Sequence, residues 1–135
     1  MRAGASETGS SRLAVPYPWV ASYPPGVSWD REFAPRPLYA LLDEAVAAHA
    51  QKPCTNFLGK VTTYGEIGEL VDRVAAGLQK QGLGKGTKIG LLLPNSPTFV
   101  VYYFAILKIG GIVVNYNPLY TVEELSFQVR DSETE

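Results

Sequence analysis

Few side chains in this sequence could carry chemistry. His49 is the only histidine and Cys54 the only cysteine. A zinc site or a Cys-His nucleophilic pair needs more partners than these two supply. His49 falls near the end of a predicted helix and reads as a helix-terminal surface residue, since a catalytic base needs a positioned nucleophile beside it. Cys54 precedes a short apolar run and reads as a small core residue. One cysteine also excludes an internal disulfide and favours a reducing compartment. The acid pairs Asp43-Glu44 and Glu123-Glu124 fit solvated helix positions better than acid–base work. A Ser-His-Asp arrangement finds no support, because many serines face a single histidine.

Two further stretches invite a functional reading. Gly82-Leu-Gly-Lys-Gly-Thr87 resembles a phosphate loop, but its lysine is followed by Gly86 rather than Ser or Thr. Its context also differs, because it follows a helix and precedes a strand, so no helix N-terminus is aimed at a ligand. It reads as a connection. Tyr102-Tyr103 lie in an apolar helical run and read as core, one hydroxyl needing a partner or water.

The elements that would position these residues follow from periodicity. Six of the ten prolines and both tryptophans fall between residues 16 and 37, preceded by a Gly- and Ser-rich segment, 1–15, expected to be disordered. The prolines predict an extended arm. Its aromatic residues Tyr17, Trp19, Tyr23, Trp29 and Phe33 predict that the arm lies on a surface, its own domain's or a second copy's. Leu38 to Val46 recur at helical spacing. Cys54–Leu58 and Val61–Thr63 predict a β-hairpin turning at Gly59-Lys60. Thr63-Tyr-Gly-Glu66 is a capping box opening a helix with the stripe Ile67, Leu70, Val71, Val74, Ala75 and Leu78, stopped by Gly82.

Strand and helix then alternate. Lys88–Leu93 predicts a strand buried on both faces. Ser96 caps a helix with Pro97 at its first position, running to Ile109 and apolar nearly all round. Ile112–Val114 is a second strand, and Thr121-Val-Glu-Glu124 caps a last helix to about Arg130. This order predicts an α/β fold with mostly parallel strands, a short hairpin and an extended N-terminal arm. A last helix of this kind normally leads to another strand, so residues 38–135 read as the truncated start of a larger domain. The open sheet implies self-association, by edge pairing or arm exchange.

Bulk properties close off other classes. Twelve basic and thirteen acidic residues leave a net charge of −1, which makes no case for nucleic acid. The longest membrane-like run, Phe99 to Val114, is shorter than the ~18 to 20 residues a spanning helix needs. Gly110-Gly111 also splits it, which predicts a buried helix followed by a strand.

An ordered series of segments carries more weight than any one motif. It comprises Thr63-Tyr-Gly-Glu-Ile67, Gly86-Thr-Lys-Ile-Gly-Leu-Leu-Leu-Pro-Asn-Ser-Pro97, and Gly110-Gly-Ile-Val-Val-Asn-Tyr-Asn-Pro-Leu-Tyr-Thr121, closed by Glu124-Leu125. In order and separation it resembles the first part of the adenylate-forming superfamily. Asn117-Pro-Leu-Tyr-Thr121 with Glu124-Leu125, and the Pro- and Trp-bearing arm, look most like the AMP-forming acyl-CoA ligases of long-chain fatty acids. Tyr116 departs from the pattern, standing where a smaller or apolar residue is common.

The resemblance implies a ligase that uses ATP, Mg2+ and CoA to activate a fatty acid. It would be cytoplasmic, with peripheral contact at a membrane surface to collect its substrate. The family's phosphate loop, aromatic-Gly-x-Thr-Glu segment, ribose-binding Asp and C-terminal lysine have no matching positions here. Catalytic, cofactor-binding and metal-binding residues are therefore all assigned as none, and the chain alone is expected to be inactive. Asn115 to Tyr120, after a strand's carboxyl end, could meet a ligand or simply turn the chain. An enzyme adenylating an aryl or amino acid, and a stand-alone α/β interaction module, are the alternative readings.

Overall fold

The computed structural model describes residues 17–28 and 30–134. The segment expected to be disordered, 1–15, lies outside the described residues, as do Pro16 and Trp29. The chain divides into two compact units, the second beginning at Arg36.

The first unit is not uniformly extended. Pro18–Ser22 forms a 3₁₀ turn, with Val20 N–H donating to Tyr17 O and Tyr23 N–H to Val20 O. Proline starts such a turn at no cost because the first N–H has no partner to lose. The turn lets Trp19 stack on Tyr17, ring centroids 4.7 Å apart.

The second unit runs α1 (Tyr39–His49), β1 (Pro53–Phe57), β2 (Lys60–Thr63), α2 (Tyr64–Lys80), β3 (Lys88–Leu91), α3 (Pro97–Lys108), β4 (Ile112–Asn115) and α4 (Val122–Ser132). Its core joins α1, α2 and α3. Ile67, Val71 and Ala75 of α2 and Val101, Ala105 and Ile109 at α3 are each spaced by four, so each set lies on one face. Leu42 of α1 completes the buried cluster. Ile67 and Ile106 are fully buried, each contributing roughly 1.5–3 kcal/mol by leaving water.

Both capping boxes form as expected. Thr63 and Thr121 accept from the N–H of Glu66 and Glu124, and each glutamate carboxylate accepts from the threonine's own N–H. Ser96 caps α3 by accepting from Phe99 N–H, with Pro97 first in the helix. Between α3's two flanks, β3 and β4 pair in parallel from Lys88↔Ile112 to Leu91↔Asn115. The run Phe99–Val114 is therefore a helix, a glycine turn and a strand, and among the described residues no helix is long and apolar enough to cross a membrane.

Several boundaries differ from the sequence reading. Strand β3 stops at Leu91 rather than Leu93, because Tyr116 N–H takes the Leu91 carbonyl and β4 then leaves into a turn. Leu92, without a strand beside it, is half exposed. Helix α4 runs on to Ser132, its last turn held by side-chain contacts described below. The hairpin turns at Leu58-Gly59 rather than Gly59-Lys60, since Phe57 pairs with Lys60 and Cys54 is the extra residue of a bulge in β1. Both turn residues take positive φ, 51° and 82°.

A two-residue turn of this hand favours Asn-Gly, and leucine there carries a steric penalty. Leu58 is also 92% exposed, so its side chain offsets none of that cost by packing. Leu58→Asn is expected to stabilise the chain by about 1 kcal/mol. An unchanged or lower midpoint in thermal unfolding would show that Leu58 is held by contacts that outweigh the backbone strain.

Candidate functional site

The carboxyl end of the β3–β4 pair is the natural place to look for a site, because ligands of open α/β sheets bind there. Two loops leave it, 92–96 into the N-terminus of α3 and 116–121 into α4. Beside the first loop lies a cavity of about 390 Å³ between the hairpin and helices α2 and α3. Its walls are Phe57, Ile67, Leu70, Val74 and Val101, with Lys60, Thr62, Ser96 and Thr98 as its polar edges and Tyr102 on the rim. Such a groove can hold apolar surface, and its lining includes no carboxylate, histidine or cysteine beside its hydroxyls. Tyr102 is 38% exposed there rather than in the core, whereas Tyr103 is partly buried between the Phe99 and Phe104 rings. The groove depends on the hairpin meeting two helices across the chain, so no local motif announces it.

Most of the residues weighed for chemistry carry structural work instead. Exposed His49 ends α1, its carbonyl accepting from Lys52 N–H. Cys54 packs against the core cluster, and desolvation pushes its thiol pKa up, the opposite of an activated nucleophile. Asp43 and Glu44 turn to different partners, Lys108 and Arg36. Lys108 also binds Asp72 at 2.6 Å, so one ammonium ties α3 to α1 and α2. Its pKa is raised, chiefly by the Asp72 hydrogen bond.

The glycine loop is closed to phosphate. The N–H groups of Gly82, Leu83, Gly84, Gly86 and Thr87 donate to Gln79 O, Leu78 O, Thr87 Oγ1, Gly110 O and Gly84 O. No described group of three His, Cys, Asp or Glu could hold a metal ion. Those five N–H groups are thus already committed within the chain.

Asn115 to Tyr120 divides by role. Asn117 builds the turn itself, its Oδ1 accepting from Leu119 N–H and its carbonyl from Tyr120 N–H, each at 3.0 Å. Tyr116 folds back over the sheet and is buried. Asn115 is exposed at the end of β4.

Residues 42–135 match the family model described as AMP-binding enzyme. The chain belongs to this family. The matched part begins within α1 and takes in the whole β3–α3–β4–α4 series. A long-chain-fatty-acid–CoA ligase of Bacillus subtilis (strain 168) is 38% identical over 116 residues, covering 86% of this chain and 21% of the relative. A 4-coumarate–CoA ligase of Humulus lupulus is 37% identical over 100 residues, 73% of this chain and 18% of the relative. The solved structure of a Mycobacterium tuberculosis fatty acyl CoA synthetase superposes with a TM-score of 0.68 at 25% identity, over 72% of this chain and 20% of that one. The chain therefore spans about a fifth of the length of these relatives.

Its acidic residues make folding pH-dependent in a definite direction. The carboxyls of Glu66 and Glu124 lie below their ordinary pKa, first because of the backbone N–H of Thr63 and Thr121. Glu133 is lowered by its hydrogen bond from Lys88. A lowered carboxyl pKa gives stability that is present above the ordinary glutamate value and lost as pH falls through the folded one. Urea midpoints are expected to hold steady down to about pH 5 and then fall through the carboxylate range. Glu66→Gln, which keeps a capping acceptor without the charge, should make that fall shallower; an equally steep fall would show that the acid sensitivity arises elsewhere.

Proposed function

We propose that this chain is a scaffold portion of an ATP-dependent ligase that activates a long-chain fatty acid and passes it to CoA. In the first half-reaction the fatty carboxylate attacks the α-phosphorus of ATP and pyrophosphate leaves. In the second, the CoA sulfur attacks the acyl carbon, forms the thioester and expels AMP. Two anions must meet in the first step, so Mg2+ and cationic or N–H donors are required at the developing charge. None of that machinery is assigned to residues 17–134. Their part is to hold the β3–β4 pair and the groove beside α3 in place.

The observation that carries the scaffold reading is the consumption of the polar groups. Glu66 and Glu124 cap helices, Asp43 and Asp72 bind Lys108, and the glycine-loop N–H groups donate within the chain. The similarity to long-chain-fatty-acid–CoA ligases supports the substrate class. The similarity to a 4-coumarate–CoA ligase is the reason to test an aryl acid beside it.

The 135-residue chain is expected to give no ATP–pyrophosphate exchange with palmitate. The full-length product of the same gene should give palmitate-dependent exchange and form palmitoyl-CoA. Exchange by the isolated chain would overturn the scaffold reading. A full-length enzyme that turns over 4-coumarate in preference to palmitate would overturn the fatty acid assignment.

A further inference from the structure

Helix α4 is fastened to the domain more than it is packed into it. It has no buried residue, and Val122 and Phe127 are 81% and 62% exposed. A helix this short is marginal without tertiary support. The support comes at its far end, from polar contacts. The Tyr116 hydroxyl lies 2.9 Å from Ser132 Oγ and also bonds Thr134 Oγ1. Ser132 donates to the Gln128 carbonyl at 2.6 Å, so its oxygen accepts the Tyr116 proton, and Tyr116 in turn accepts from Thr134. Lys88 of β3 adds an ion pair to Glu133 at 2.6 Å. Glu133 itself takes φ 55°, a left-handed cap position where glycine or asparagine is usual.

The ring that carries the hydroxyl reaches this place across Gly90 of β3. A Cβ at Gly90 would come within 2.3 Å of Tyr116 Cε2, so the tyrosine and the glycine require each other. At the other end, α4 begins from the exposed Asn117–Tyr120 turn, whose own hydrogen bonds are local.

We infer that α4 is a hinged strap. It pivots at the 117–121 turn and is latched to the β3–β4 pair by the Tyr116 hydroxyl and Lys88, with Gly90 leaving room for the ring. Opening the latch frees α4 while the α1–α2–α3 core stays folded, as expected for a segment held by few buried contacts. None of this rests on the ligase reading.

Amide hydrogen exchange on the full chain tests it. Tyr116→Phe keeps the ring and removes only the hydroxyl; Gly90→Ala keeps the hydroxyl and displaces the ring. Each is expected to speed exchange across α4 about tenfold with α2 and α3 unchanged. The double variant should be no faster than the faster single, because both act on one latch. Unchanged α4 protection in Tyr116→Phe would overturn the inference. So would loss of protection in α2 and α3 together with α4, which would make the helix part of the core. Should Gly90→Ala fail to fold, Tyr116→Phe and Lys88→Met carry the test, with the same outcomes required.

Discussion

Burying α3 is the constraint on which the second unit depends. The helix is apolar on almost every side, so a single covering layer would leave part of it in water. One side meets α2 and α1 through Val101, Ala105 and Ile109. Ile106 turns the other way, toward Gly111 at the start of β4, where a Cβ would come within 2.9 Å of it. Ser96 and Pro97 set where the helix begins. Lys108 in its last turn binds acids on both covering helices, which orients them around it. The parallel strands are covered on one face by the same helix that separates them in sequence.

That arrangement explains the distribution of polar groups. A chain built around an apolar helix has to close its helix ends and loops with its own side chains, and here it does so with most of the groups that could have done chemistry. The glycine loop is spent joining α2 to β3 and holding Gly110. The glutamates that stand out in the sequence are caps. What is left exposed is an apolar groove and a polar strand end.

Local signals in the sequence translated well because their causes are local. Both capping boxes lie within four residues and form as spelled. The α2 stripe and the Pro97 start of α3 behave likewise. Apart from the hairpin register, the errors lie where distant residues decide. Gly59 marked the hairpin turn, yet the pairing of Phe57 with Lys60 drew Leu58 in as its second residue. Leu92 and Leu93 look like strand, but β4 offers them no partner after Asn115. Tyr116 departs from the family pattern in sequence, and its role becomes visible only when Gly90, Ser132 and Thr134 come together. The groove was illegible for the same reason.

The most direct test of the central packing claim is urea unfolding of Ile106→Ala, followed by far-ultraviolet circular dichroism. Ile106 is fully buried on the side of α3 away from α2, so its truncation opens a cavity between helix and sheet. If α3 joins the two layers, the variant loses about 2–5 kcal/mol and still unfolds in one transition, because helices and strands share that core. A midpoint close to wild type, or two transitions with the α1–α2 pair outlasting the rest, would contradict the account.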